Sequence, residues 1–344
     1  MLPVLLHRFR RISASTLTWL ERAQHLLSKR WLIVLVAHYY ERDSRLQIDV
    51  PSIRSNLDYL SEQCNVLPLQ EALHRLEQGK SLPRRAVSLV VDDAALPFYE
   101  AGWPLLRDSG GTPFSLAVIS GLIRSSTTEH LIARIMYGIT SVSDPGSRRD
   151  IISRASSWLG EDDQRAQPSL EGFFTSIHGL GHHELAALAT DLEVPDEEYM
   201  TWDQLAELRS TGLVELVSHS MSHPRFRHVT GAWLEWELSR SRQIIQDQTG
   251  EAVNTFVFPY GSPKGVTEPV RNSLKRNGYR FALLTKPGIV TPRADRFLLP
   301  RIDGEVPVKQ FRRNVSPARQ SFSGRRRAPW EPDLLSRPCI DAEG

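Results

Sequence analysis

Ser88-Leu-Val-Val-Asp92-Asp93-Ala94 couples a run of β-prone apolar residues to two adjacent carboxylates. Such a run forms a buried strand. Side chains alternate between the faces of a strand, but at its C-terminal edge the backbone turns and neighbours can converge on one cleft. Two acids so placed can divide labour, one holding a metal and the other moving a proton. Taken by itself the pair is equally what a turn and a helix cap would use. Its weight comes from the rest of the chain.

Upstream, Trp31-Leu-Ile-Val-Leu-Val-Ala37 reads as a second buried strand, ending at His38-Tyr39-Tyr40. Pro51 then opens a helix with Ile53, Leu57 and Leu60 on one face, a short strand falls around Val66–Leu69, and a helix through Leu73 and Leu76 stops at Gly79. Downstream of the acids come a helix near Phe98–Leu106, the Gly110-Gly111 break and a strand over Pro113–Ile119. From about Ser125 to Glu198 the pattern becomes helical and polar, which marks an insertion. Alternation resumes at Thr201-Trp-Asp-Gln204, a capping box opening a helix to Gly212, and strand Leu213–Ser218 leads into His219. A helix over Ala232–Gln248, strand Val253–Phe258, helix Val266–Asn277, strand Tyr279–Thr285 and a last strand at Phe297–Ile302 complete the series. Strands alternating with helices specify an α/β fold built on a mainly parallel sheet or barrel.

Residues 1–30 carry Arg8, Arg10, Arg11, Arg22, Lys29 and Arg30 among Leu, Ile and Trp. Such a segment suits either an anionic membrane surface or packing on its own domain. Residues 306–344 are rich in Arg, Ser and Pro without hydrophobic rhythm and are expected to form a disordered tail. The chain of 344 residues carries a formal net charge of +2 and two cysteines, Cys64 and Cys339. No nucleic-acid partner is expected from that charge, and neither a disulfide framework nor a cysteine-based metal site can be built. The longest apolar run falls far short of the roughly 20 residues a membrane span requires. Met1–Leu6 is too short for the core of an export signal, and its arginines follow rather than precede it. The protein is therefore expected in the cytoplasm, with membrane contact through the basic segment as an option.

His219-Ser-Met-Ser-His223 places two imidazoles four residues apart at a strand end, a spacing that on one helical turn suits two metal positions. His178-Gly-Leu-Gly-His182-His183 has the same spacing but lies in the insertion. Its glycines disfavour an ordered turn, so it is expected to stand outside the site. The acids, the histidines and Phe258-Pro-Tyr-Gly261 each follow an apolar strand, where loops of barrel-like α/β folds gather into one site.

The order and spacing of these segments resemble the polysaccharide deacetylases, the family with the NodB homology domain (carbohydrate esterase family 4). Val90-Val-Asp92-Asp93-Ala94 corresponds to its Thr-Phe-Asp-Asp-Gly, His219-Ser-Met-Ser-His223 to its His-Ser/Thr-x-x-His, and Phe256-Val-Phe-Pro-Tyr-Gly261 to its Pro-Tyr loop. Leu299-Pro-Arg-Ile302 resembles a closing strand of the bacterial branch, and His38 stands where one variant carries an N-terminal Tyr-His. The resemblance covers residues 31–305 around the insertion at 125–198. It implies a distorted (β/α) barrel in which Asp93, His219 and His223 hold one divalent metal, with zinc the expected ion. Asp92 would be the general base, the backbone N–H of Tyr260 an oxyanion donor and His38 the acid for the departing amine. The substrate would be an N-acetylated saccharide, with acetate as a product. Ala94 replaces the family's glycine, Val90 and Val91 replace its Thr and Phe, and its arginine before the Pro-Tyr loop is missing, a place Arg301 is able to fill. The alternatives are a non-catalytic relative that binds a glycan or partner, and a metal-dependent amidase on a small non-sugar amide.

Overall fold

The computed structural model describes residues 30–39, 50–142, 144–158, 169–194 and 199–315. In chain order, β1 (Ile33–Ala37) is followed by α1 (Val50–Gln63), β2 (Asn65–Val66), α2 (Leu69–Glu77) and β3 (Ala86–Val91). Next come α3 (Trp103–Asp108) and β4 (Phe114–Val118), then α4 (Thr128–Ser141), α5 (Pro145–Trp158), α6 (Leu170–Ile177) and α7 (His182–Asp191) with no strand between them. The last third runs α8 (Trp202–Ser210), β5 (Val214–Ser218), α9 (Gly231–Glu235), α10 (Ser241–Thr249), β6 (Thr255–Val257), α11 (Glu268–Arg276), β7 (Phe281–Leu283), β8 (Ile302–Asp303) and α12 (Val308–Asn314).

The strands form one sheet in the order β7-β6-β5-β4-β3-β1-β8, with β2 beside the start of β3. Every pairing among them is parallel. The segment ending in β8 touches both edges, because Leu299 pairs with Leu283 of β7 while Ile302 and Asp303 pair with Leu35 and Val36 of β1. The sheet thereby curls into a distorted barrel with helices packed outside it.

Strand periodicity separates two apolar layers. Ile33, Leu35, Val87, Leu89, Phe114, Leu116, Leu216 and Phe256 face the helices. Val34, Val90, Ala117, Val217, Val257, Leu283 and Leu299 fill the interior. Ladder bonds carry this register past the strand ends, with Asp92 N–H donating to Ala37 O (2.9 Å) and His219 N–H to Val118 O (2.9 Å). Asp92 therefore continues the inward series of Ser88 and Val90, and His219 that of Glu215 and Val217.

The capping box is in place, with Gln204 N–H donating to Thr201 Oγ1 (3.2 Å) and Thr201 N–H to Gln204 Oε1 (2.8 Å). Several boundaries differ from the sequence reading: the last strand, expected over Phe297–Ile302, is β8 at Ile302–Asp303, and the helix expected over Ala232–Gln248 is interrupted at Trp236–Arg240. The short strand expected over Val66–Leu69 ends at Val66 because Pro68, which has no N–H to give a ladder, leads into α2. The irregular tail expected from residue 306 gives way to α12, whose Phe311 packs edge-on against Tyr59 of α1 while Asn56 Nδ2 donates to Val306 O. Phe311 and Val315 are too sparse an apolar pattern among Lys309, Arg312 and Arg313 to announce a helix. The basic segment over residues 1–29, with the membrane contact read into it, and residues 316–344 lie outside the described residues. No helix among the described residues is long and apolar enough to cross a membrane.

Candidate active site

The loops after β1, β3, β5, β6 and β8 meet at the C-terminal rim of the barrel. Asp93 Oδ1 lies 3.4 Å from His219 Nε2 and 3.4 Å from His223 Nε2, and the imidazole centroids are 4.9 Å apart. Among the described residues this is the group of acids, histidines or cysteines whose donor atoms converge closely enough to hold a metal ion. The donor set fits such an ion. Zinc takes nitrogen at about 2.0–2.1 Å and carboxylate oxygen at about 2.0–2.2 Å, so a tetrahedral centre separates its donors by about 3.4 Å. The tautomer fits as well. His219 Nδ1 faces Val257 O at 2.7 Å, and a carbonyl can only accept, so Nδ1 carries the proton and Nε2 presents its lone pair toward Asp93.

The backbone is bent to achieve this. Strict alternation would turn Asp93 away from Asp92, yet Asp93 adopts φ 81° and Ala94 φ 58°, and both carboxylates reach the cleft. All the left-handed non-glycine residues in the described chain except Arg85 and Glu193 belong to this rim: Tyr39, Asp93, Ala94, Ser220, His223 and Tyr260. Strain concentrated in this way persists where surrounding structure over-determines it. Around Ser220–His223 the agent is Glu237, fully buried, which accepts hydrogen bonds from Met221 N–H (2.8 Å), Ser222 N–H (3.1 Å), the Ser222 hydroxyl and Trp233 Nε1–H (2.8 Å). Glu237 sits on a widened helical turn, Trp236–Arg240, between α9 and α10. Ser220 Oγ accepts from His223 N–H at 3.0 Å, closing the loop.

Asp92 is paired with Arg301, whose Nη1 donates to Oδ1 at 2.7 Å while Nε donates to Leu284 O at 3.1 Å. Both side chains are buried. Burial alone would push the Asp92 carboxyl up, but the Arg301 guanidinium, with His219 and His38 near it, holds it below the ordinary carboxylate value. His38 completes the opposite wall, with Nε2 3.9 Å from Asp93 Oδ2 and Nδ1 3.1 Å from Glu305 Oε2. The other oxygen of Glu305 accepts Tyr39 N–H at 2.6 Å, which fixes the carboxylate against the imidazole. The Tyr260 ring packs at a tilt against that of His223, with centroids 4.8 Å apart, and the Arg225 guanidinium lies over the Tyr260 ring 3.8 Å from its centroid.

The six residues singled out in the sequence, His38, Asp92, Asp93, His219, His223 and Tyr260, are thus brought together. Arg301, considered there as a stand-in for the missing arginine, contacts Asp92 directly. The second histidine set is elsewhere: His178 closes α6, with Nδ1 bonded to Phe174 O at 2.7 Å, and packs on Phe174 and Trp236. Glu237 and Glu305 were not foreseen. Glu237 carried a signal, a charge four residues after Trp233 and beside Leu238 on the apolar stripe of its helix. Glu305 lay just past the last strand, where the other site residues also lie.

A curled parallel sheet with acids and histidines gathered at the ends of its strands is the α/β frame that the sequence resemblance implied. The polysaccharide deacetylase family profile matches residues 79–282, more than half of the chain, and the protein belongs to that family. A search of curated proteins gives no match. Among solved structures, the chain is similar to the Streptococcus pyogenes deacetylase PplD in complex with acetate, at 15% identity over 85% of this chain and 97% of that one, with TM-score 0.54. It is similar to IcaB from Ammonifex degensii at 18% identity over 84% and 97%, TM-score 0.54. For BC0361, a polysaccharide deacetylase from Bacillus cereus, the figures are 14%, 83%, 69% and 0.53. At these identities the likeness is one of fold.

Proposed function

We propose that the protein removes N-acetyl groups from a saccharide by metal-dependent hydrolysis, releasing acetate and a free amino sugar. The observation that carries this reading is the convergence of Asp93, His219 and His223 beside an Asp92 carboxylate kept ionised by Arg301.

Asp93, His219 and His223 would hold a divalent ion, with zinc favoured by a donor set of two imidazoles and a carboxylate. Such an ion supplies Lewis acidity, polarising the N-acetyl carbonyl and acidifying water. Asp92 accepts the proton of the attacking water, and Arg301 orients it. The N–H of Tyr260, on the Pro-Tyr loop, stabilises the developing oxyanion. His38 hands a proton to the departing amine from Nε2, while Glu305 at Nδ1 favours the imidazolium form. The substrate is an N-acetylated glycan or glycan precursor met in the cytoplasm or at a membrane face.

The test is acetate release from chitooligosaccharides by the full chain, with metal content measured on the same sample. Asp92→Asn is expected to lower kcat by about 10²–10⁴ while metal stays bound. A metal-loaded protein that releases no acetate from any N-acetylated sugar would instead be a glycan-binding relative. Release from small non-sugar amides alone would make it an amidase.

A further inference from the structure

We propose that the saccharide deacetylated here is anionic, its carboxylate or phosphate held by Arg225 and Arg227 in a cleft beside Tyr260. This deepens the deacetylase reading and rests on it for the placement of the sugar. The cleft is lined by Arg225, Arg227, Phe258, Pro259, Tyr260 and Ser262, and no carboxylate faces it. It adjoins the candidate centre directly. The Tyr260 ring packs at a tilt against His223, with centroids 4.8 Å apart, and carries the Arg225 guanidinium 3.8 Å from its own centroid, so Arg225 is one aromatic ring removed from a candidate metal ligand. A saccharide whose N-acetyl group sits at His223 has its neighbouring substituents within reach of that guanidinium.

The charges are uncompensated. Among the described residues no carboxylate pairs with Arg225, Arg227 or Lys264, which sits between the lining residues Ser262 and Gly265. Elsewhere on the surface Arg240 holds Glu129, Arg271 holds Asp295 and Arg276 holds Glu235. The positive field is felt nearby: His228 is drawn below its ordinary value, first by burial and then by Arg227, Arg148 and Arg225. Stacking on Tyr260 also orders the Arg225 fork in advance, which lowers the entropy lost when an oxyanion is clasped at two points. Neutral sugars need aromatic faces and hydroxyl partners. Two guanidinia without a carboxylate partner, one of them (Arg227) held at Nε by a 2.7 Å hydrogen bond to His228 Nε2 and keeping its terminal nitrogens for a ligand, suit a carboxylate or phosphate instead, beside the hydroxyl of Ser262.

The experiment compares the full chain with Arg225→Gln, Arg227→Gln and the double variant on three N-acetylated substrates. These are chitooligosaccharides, an oligosaccharide alternating N-acetylglucosamine with a uronate, and N-acetylglucosamine 1-phosphate. A uronate oligosaccharide without N-acetyl groups serves as an inert binding probe, titrated at low and at 0.5 M salt, a concentration that shortens screening to under about 5 Å. The wild type is expected to favour one acidic substrate over the neutral one. The double variant should raise KM for that substrate about 10- to 100-fold, as loss of charge-assisted bonds does, with a much smaller change for the neutral one. Preference between uronate and phosphate identifies the anion. Failure of the wild type to bind either anion, or an equal loss on acidic and neutral substrates, overturns the proposal. Arginine-dependent, salt-sensitive binding of the probe without acetate release from any substrate would uphold the anion site and remove the deacetylase reading instead.

Discussion

The chain holds two His-x-x-x-His segments, and they differ in everything but spacing. His219–His223 follows a strand and passes through left-handed backbone at Ser220 (φ 72°) and His223 (φ 55°). The buried Glu237 carboxylate ties the same loop down. His178–His182 joins two helices of the insertion with glycines at 179 and 181, neither of which needs a left-handed φ. One segment has residues in conformations that suit glycine, and the other has glycines in conformations any residue adopts. Imidazoles four apart do not make a site. What distinguishes the first pair is a strand end that fixes the first ring, an acid from another strand facing both rings, and an anchor that holds the strained loop between them.

The sharpest break of this comparison is substitution of the histidines themselves. His219→Ala or His223→Ala is expected to abolish metal binding and lower acetate release by at least about 10³-fold, since each removes one of three protein ligands. His178→Ala and His182→Ala are expected to leave both within about twofold, although His178→Ala also removes tilted and edge-on ring contacts with Phe174 and Trp236. Metal content and acetate release measured in parallel decide the matter. Equal losses from the two segments would mean that spacing, not bracing, governs.

Next in size is the charge partner of Asp92, the second acid beside the first pair. Arg301→Gln leaves the Asp92 carboxylate buried without its cation, with an expected stability loss of about 3–5 kcal/mol. Because Arg301 is what holds the Asp92 carboxyl down against burial, its removal lets that group rise. A depressed carboxylate contributes stability above its unfolded value of about 3.9 and loses it as pH falls through the folded value. The variant should therefore lose that acid-side dependence, and the acid limb of kcat/KM should move to higher pH. A pH profile unchanged in shape would detach Arg301 from Asp92.

Much of this contrast was legible in the amino-acid order, and the reason lies in the strands. Each of the runs before Asp92, His219 and Phe258 is short, apolar and β-rich, and a parallel barrel puts all such ends on one rim. His38, the acids, the histidines and Tyr260 could be assembled before any coordinate was known. Arg301 was legible as a candidate because it immediately precedes the last strand, β8. Glu237 was not, because it is carried by a helix read as regular from Ala232 to Gln248, and the widened turn at Trp236–Arg240 has no composition of its own. Glu305 and α12 escaped for the complementary reason that their contacts, with His38 and with Tyr59, are made across more than two hundred residues of chain.

Glu237 is the anchor on which the comparison most depends, and its replacement tests it at intermediate size. Glu237→Gln keeps the shape but offers one acceptor oxygen to four donors, leaving buried N–H groups unmatched at about 1–3 kcal/mol each. Its separate signature is metal affinity. Groups that orient ligands typically change it by about 10–100-fold, whereas a merely structural role would lower thermal stability and leave the affinity of the folded protein unchanged. Metal titration of the variant below its unfolding temperature separates the two.

The smallest expected effect exchanges the backbone character of the two regions. Ala94 occupies φ 58° with its methyl group fully buried, while Gly179 has an ordinary φ and a Cβ there would meet only Ser176 O at 3.4 Å. Ala94→Gly relieves a left-handed penalty of about 1–2 kcal/mol. Against that stand about 0.5–1 kcal/mol of unfolded-chain entropy and about 0.8 kcal/mol for the lost methyl burial. These nearly cancel, so denaturant unfolding should place the variant within about 1 kcal/mol of the parent, with acetate release retained. Gly179→Ala meets no opposing term and is expected to stabilise by about 0.4–1 kcal/mol. A loss above about 2 kcal/mol for Ala94→Gly would show that the methyl group, rather than the backbone, is what that rim position requires. The strain would then reside at Asp93, where the side chain cannot be exchanged without losing the centre.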